Sequence, residues 1–193
     1  FTQNVEQGGW SRDKYDIQEL NTKTLGIIGY GRLGRIVAKY GLAFNMNILI
    51  NDTRDIGRLP HGVLHAELDE LLSNSDYILL LADYSDSNIN MISLKEFELM
   101  KEDAFFVNCS RGEMVDENAL LYSLKNQKIA GAALDVLVND SSWKRIPDNN
   151  PLLDYMQKNN NLLITPHIGG YGRVSIEKTR DYMIEMFLKK VKK

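Results

Sequence analysis

The chain has 193 residues, 44% of them hydrophobic, and its 23 basic and 26 acidic side chains give a formal charge of −3. That length holds one large domain or a domain with pieces of another, and the apolar content is ample for a sizeable core. The mixed charge lacks the basic footprint of a nucleic-acid binder, no apolar run is long enough to cross a membrane, and the opening "FTQNVEQGGW" is no secretory leader.

From Thr24 onward, short apolar runs alternate with segments of helical period. Strands are predicted over "TLGIIG" (24–29), "NILIND" (47–52), "YILLLA" (77–82), "AFFVNC" (104–109), "AGAALD" (130–135) and "LLITP" (162–166). These runs are nearly continuous in apolar residues, as strands buried on both faces of a parallel sheet are. Helices are predicted over 32–44, 68–73, 93–100 and 116–126, followed by a long amphipathic one from 173 to about 191. The alternation implies right-handed crossovers and an α/β, Rossmann-type doubly wound parallel sheet with helices on both faces. Residues 137–161 form the longest irregular connection, and long loops in compact domains are often functional. The terminal "KKVKK" (Lys189 to Lys193) reads as the solvated end of a helix.

The junction of the first strand and helix reads Gly29-Tyr30-Gly31-Arg32-Leu33-Gly34. Such a glycine pattern alone is weak, but here it follows a strand and opens a helix. Gly29 permits a tight turn, Gly31 lets the backbone approach a pyrophosphate, and Gly34 lets helix and strand pack closely. The N–H groups of Arg32 and Leu33 then face the phosphates at the positive end of the helix. The second strand ends at Asp52, eighteen residues past Gly34. A carboxylate there accepts both ribose hydroxyls and repels a 2′-phosphate, which favours NAD over NADP. Arg54, two residues on, is placed to soften that preference.

Arg111 leaves a strand end beside a glycine, where a guanidinium can grip a carboxylate in two-toothed fashion. A surface arginine in a turn fits the spacing equally well. His167 follows a proline at a strand end and precedes two glycines, and histidine is the usual proton donor and acceptor near neutral pH. A lone histidine after a strand is more often structural. His61 and His65, flanking "GVL" in a loop, are read that way. Cys109, the single cysteine, has no internal disulfide partner. It suits a reducing, cytoplasmic setting, and at the end of a buried strand a thiol is usually inert packing.

Taken in order, "KTLGIIGYGRLGRIVA", "HAELDELLSNSDYILL", "VNCSRGEMVDENALLYSLKNQKIAGAALDV" and "NPLLD…LLITPHIGG" resemble the cofactor-binding domain of the D-isomer-specific 2-hydroxyacid dehydrogenases. The lead-in "EQGGWSRDKYDIQEL" is similar to the segment preceding that family's nucleotide fold. The resemblance implies NAD as cofactor, a small 2-keto or 2-hydroxy acid as substrate, and a homodimer. It implies that Arg111 holds the substrate carboxylate and keto oxygen while His167 exchanges the proton on that oxygen. Asp135 would bond the nicotinamide carboxamide, and Cys109, Ser110 and Gly170 would line the cofactor. The family pairs its histidine with a carboxylate, usually Glu, that favours the imidazolium. The matching offset here holds Asp140, one methylene shorter.

"LLADYSDSN" (80–88) also departs from the family, placing Ala82, Asp83 and Tyr84 where a histidine and a proline are usual. By the same resemblance, residues 1–20 form an interdomain connecting arm and 21–172 the NAD-binding domain. Residues 173–193 then lead toward a substrate domain outside this sequence, so the piece alone is expected to bind NAD and to be inactive. A different class of reading, an NAD-sensing or corepressor-like relative, is kept alive by the Asp140 and "LADYS" departures. Arg111 and His167 weigh against it. A third reading, an adenosylhomocysteinase-like enzyme, would not need the "SRG" and "PHIGG" pair.

Overall fold

The computed structural model describes residues 5–10, 18–140 and 150–191. Parts of the arm over 1–20, the segment 141–149 inside the long connection and the last two lysines of "KKVKK" lie outside the described residues.

Among the described residues, seven parallel strands form one sheet in the order β3-β2-β1-β4-β5-β6-β7. They are β1 (Thr24–Ile28), β2 (Asn47–Asn51), β3 (Val63–His65), β4 (Tyr77–Leu80), β5 (Phe105–Asn108), β6 (Gly131–Leu134) and β7 (Leu162–Ile164). Among the described residues, the helices that cover the sheet and follow it are α1 (Arg32–Ala43), α2 (Leu68–Asn74), α3 (Leu94–Leu99), α4 (Glu117–Lys125), α5 (Pro151–Met156) and α6 (Arg173–Val191). The strand order reverses between β1 and β4, and this switch point opens a crevice at the carboxyl edge of the sheet.

Because successive strand side chains alternate faces, β1 feeds two cores. Leu25 and Ile27 join Ala38 of α1 and Ile48 and Ile50 of β2 on one side. Ile28 joins Leu71, Leu72, Phe97, Phe106 and Leu120 on the other. Phe97 of α3 meets Phe106 of β5 edge to face, with ring centroids 5.4 Å apart. Fully burying side chains of this size contributes roughly 1.5–3 kcal/mol each. At the amino edge, Asp76 accepts from Thr24 N at 2.7 Å and from Lys101 Nζ at 3.0 Å, closing the bottom of the sheet.

Two elements escape prediction from the sequence. β3 has only two apolar residues, Val63 and Leu64, of which Val63 alone is buried, so it shows no apolar run. α5 sits inside the connection read as irregular, yet its start is legible. Asn150 caps it by accepting from Leu152 N, and Pro151 occupies the first turn. Each predicted strand also runs one or two residues past its true carboxyl end, because those residues leave the ladder to build the crevice. The last helix has the expected bounds but not the expected amphipathic face. Tyr182, Met183, Ile184, Met186, Phe187 and Leu188 encircle it, and none of its residues is buried.

Candidate active site

Parallel strands send all their carboxyl ends to one edge, so the loops after β1, β2, β4, β5, β6 and β7 gather there. The glycine turn opens the crevice. Gly29 lies at φ +98°, a left-handed conformation that side chains resist, and an added methyl group would fall 2.4 Å from Ala82 N in the loop after β4. A methyl on Gly34 would strike the Gly29 carbonyl at 2.3 Å. At Gly31, by contrast, the nearest atom to such a methyl is Arg54 Nη2 at 3.8 Å. α1 begins just after it with no side-chain cap, and Arg32 and Leu33 are exposed in its first turn. An uncapped helix start beneath an open glycine fits the pyrophosphate of a dinucleotide.

Asp52 lies just past β2, as the dinucleotide reading requires. Its Oδ2 accepts from Tyr30 N at 2.8 Å, which ties the acidic residue to the glycine turn. Arg54 grips it from the other side, Nε to Oδ1 at 2.9 Å and Nη2 to Oδ2 at 2.8 Å. These bonds, the guanidinium's foremost, hold the Asp52 carboxyl far below the usual carboxylate range.

At the end of β5, Asn108 clamps the turn that carries Arg111. Its Oδ1 accepts from Ser110 N at 2.9 Å and its Nδ2 donates to the Arg111 carbonyl at 3.0 Å. Arg111 is exposed, and its Nη1 donates to the Ser110 carbonyl at 2.7 Å. Ser110 is buried and its hydroxyl donates to the Ala82 carbonyl, so it anchors the β5 loop to the β4 loop. Cys109 is exposed. Partial burial of its thiol and the negative Asp135 push its pKa up, which keeps it neutral.

Asp135, at the end of β6, holds the loop after β7. Its Oδ1 accepts from the Thr165 hydroxyl and from Ile168 N at 2.9 Å, and its Oδ2 accepts from Gly169 N at 2.8 Å. Three of roughly four acceptor positions on a carboxylate are thereby taken by the protein itself. Burial alone would raise its carboxyl; these donors and His167 outweigh that and lower it. The loop so held carries His167 at φ +53°, a left-handed position rare for a side-chain-bearing residue and one that clusters at functional sites. Gly170 is exposed with open space around it.

His167 Nδ1 lies 3.0 Å from Asp140 Oδ2. The histidine side chain is 44% exposed and the carboxylate 22%. The same Asp140 oxygen accepts from Leu137 N at 3.2 Å, so the short side chain is fixed by its own turn. That turn abuts the arginine turn: a methyl on Gly112 would fall 2.0 Å from the Leu137 carbonyl carbon. Glu117 of α4 braces it from behind, accepting from Val138 N and Asn150 Nδ2, both at 2.7 Å. The arginine turn thus packs on the Asp140 turn, and Asp140 reaches His167 through its side chain. Asn108, Glu117 and Thr165 carry no mark of this role in the sequence, since a supporting residue differs from an ordinary polar one only by what it touches. His61 and His65 are exposed, and His65 stands on β3, at the opposite edge of the sheet from β7. Among the described residues no group of His, Cys, Asp and Glu is arranged to hold a metal ion, and no helix is long and apolar enough to cross a membrane.

Known proteins resemble this chain in sequence and in fold. The profile of the D-isomer specific 2-hydroxyacid dehydrogenase NAD binding domain matches residues 1–169. A Staphylococcus aureus (strain MRSA252) protein named as a 2-hydroxyacid dehydrogenase is 37% identical over 163 residues, which is 83% of this chain and 49% of that protein. The chain therefore spans about half the length of the curated relatives it matches. The crystal structure of D-lactate dehydrogenase from Aquifex aeolicus, complexed with NAD and lactic acid, superposes with a TM-score of 0.86 at 32% identity, covering 99% of this chain and 60% of that one. The NAD-complexed D-isomer specific 2-hydroxyacid dehydrogenase from Lactobacillus delbrueckii ssp. bulgaricus gives 0.86 at 29% identity, over 98% and 59%. The chain belongs to the family of NAD-binding domains of the D-isomer specific 2-hydroxyacid dehydrogenases.

Proposed function

We propose that the protein of which this chain forms the NAD-binding domain interconverts a D-2-hydroxy acid and its 2-keto acid. The 3.0 Å contact between His167 and Asp140, on the sheet edge that also carries Arg111 and the glycine turn, carries this reading. The glycine turn, the start of α1 and Asp52 hold the dinucleotide, which when bound supplies the hydride chemistry. Arg111 takes the carboxylate of the keto acid through its planar fork and steadies the keto oxygen. Asp140 engages His167 Nδ1 and sets the ring, which leaves Nε2 to protonate that oxygen or to take the proton back. Asp135 holds the histidine loop in place and keeps an acceptor position for the nicotinamide carboxamide. Cys109 and Gly170 lie beside it.

Association as a homodimer is part of the proposal. Ile36 and Tyr40 of α1 and Phe44 just past its end, spaced four apart, are exposed apolar side chains that support it. Light scattering on the purified protein tests it. A cytoplasmic location is likewise proposed, on the unpaired Cys109 thiol.

The experiment for the reaction is a steady-state assay of the intact protein with NADH and a panel of 2-keto acids. Turnover that is lost in His167→Ala while NADH affinity persists supports the proton-transfer role. Tight NADH binding with no turnover on any keto acid would favour the sensor reading instead.

A further inference from the structure

Arg54 does more than sit near Asp52. Its guanidinium engages both carboxylate oxygens, at 2.9 and 2.8 Å, across the seat that ribose hydroxyls need. It also reaches over the phosphate turn, being the atom group nearest the open side of Gly31. The Asp52 side chain is only 5% exposed whereas that of Arg54 is 64% exposed, so the arginine is the partner free to move. Asp83, in the loop after β4, adds a second attraction for it.

We propose that Arg54 is a cofactor-selecting residue that makes this site accept a dinucleotide bearing a 2′-phosphate, so that NADPH binds as well as NADH. The proposal rests on the reading of Gly29–Gly34 and Asp52 as the dinucleotide site. An unpaired carboxylate at the end of β2 repels a 2′-phosphate, and an arginine nearby accommodates one. Here both are present, and the pair carries no net charge. With NADH, the guanidinium gives up its hold on Asp52 to the ribose hydroxyls and moves outward. With NADPH, it keeps part of its planar fork on the carboxylate and turns the rest to the phosphate, so that Asp52 stays paired. A lysine would substitute only in part, because a point charge cannot bridge the two anions in the same plane.

The test is direct binding of NADH and of NADPH to this chain by calorimetry, with the Arg54→Gln, Arg54→Lys and Asp52→Asn variants. The wild type should bind the two cofactors within about tenfold of each other. Arg54→Gln should weaken NADPH by about tenfold or more, the loss of a charged hydrogen-bonded pair, while NADH changes by less than about threefold. Arg54→Lys should restore part of the NADPH affinity, and Asp52→Asn should weaken NADH more than NADPH. Displacement of NADPH from the wild type by 2′-AMP in preference to 5′-AMP reads the same contact without a variant. Equal losses for both cofactors in Arg54→Gln, or a wild type that binds NADH and rejects NADPH, overturns the proposal and leaves the dinucleotide site standing. Failure to bind either cofactor overturns the site reading itself.

Discussion

The Nδ1 atom of His167 lies 3.0 Å from Asp140 Oδ2 although the two residues leave different strands and Asp140 has the shorter of the two acidic side chains. The contact is possible because the turn after β6 folds back on itself. Leu137 N donates to that same oxygen, and the Asp140 N–H donates to the Leu137 carbonyl at 3.2 Å. The missing methylene is made up by backbone position.

If the pair works as a unit, its members should not contribute additively. We predict that Asp140→Ala lowers kcat/KM of the intact protein by about tenfold to a hundredfold, inside the range typical of general acid–base assistance. His167→Ala should lower it further. The double variant should be no worse than His167→Ala alone, since the partner has nothing left to orient. Fully additive losses in that cycle would mean that the two side chains act separately.

Asp135 makes a prediction about acid. Its carboxyl is held below the ordinary range by Thr165, Gly169, Ile168 and His167, against the opposing effect of burial. A group whose native pKa is depressed stabilises the fold above its unfolded value, near 3.9 for Asp, and the contribution disappears as pH falls through the lower native value. Asp135→Asn should therefore melt below the wild type at pH 7, and the gap should close as the buffer is taken from pH 5 toward 3. A gap constant across that range would place the stabilisation elsewhere.

Much of the sheet and one half of the site are legible in the amino-acid sequence alone, for a physical reason. Buried parallel strands need unbroken apolar runs, and a pyrophosphate needs glycines at fixed offsets, so β1, α1 and β2 announce themselves together with Asp52. Arg111 and His167 are legible because they stand beside glycines at strand ends. The bracing residues are not. Glu117 looks like an ordinary first-turn acid of α4, and nothing local reveals that its oxygens hold Val138 and Asn150, 21 and 33 residues away. β3 escapes because it offers only two apolar residues, Val63 and Leu64, and α5 because its six residues lie inside the polar connection over 137–161.

Gly112 tests the packed contact between the arginine turn and the Asp140 turn. A methyl group there would fall 2.0 Å from the Leu137 carbonyl carbon and 2.3 Å from its oxygen, both backbone atoms with no side-chain torsion to yield. Gly112→Ala should cost about 1–3 kcal/mol by overpacking. In the intact protein it should reduce kcat on the keto acid while leaving the Kd for NADH near that of the wild type. A variant with unchanged melting and unchanged turnover would show that the turns part without consequence.

Glu117 gives the opposite dependence on pH from Asp135, and this separates the two supports. Its carboxyl is pushed up, chiefly by burial and further by the charges of Glu113 and Asp140, although Val138 N and Asn150 Nδ2 pull the other way. A raised native pKa means that the folded chain binds the proton more readily than the unfolded one. Stability from this residue therefore increases as pH falls from neutral toward the ordinary glutamate range. Glu117→Gln removes that titration. It also turns a donor toward Asn150 Nδ2, which already donates, and so leaves one of the two amides without an acceptor. A mismatch of that kind costs about 1–3 kcal/mol. We predict that Glu117→Gln melts below the wild type at pH 7, with a gap that widens on acidification to about pH 5, whereas the Asp135→Asn gap narrows at lower pH. Because the brace stands behind the Asp140 turn, the same variant should lower kcat more than it raises KM. A narrowing gap would mean that Glu117 is a stabilised carboxylate rather than a strained one.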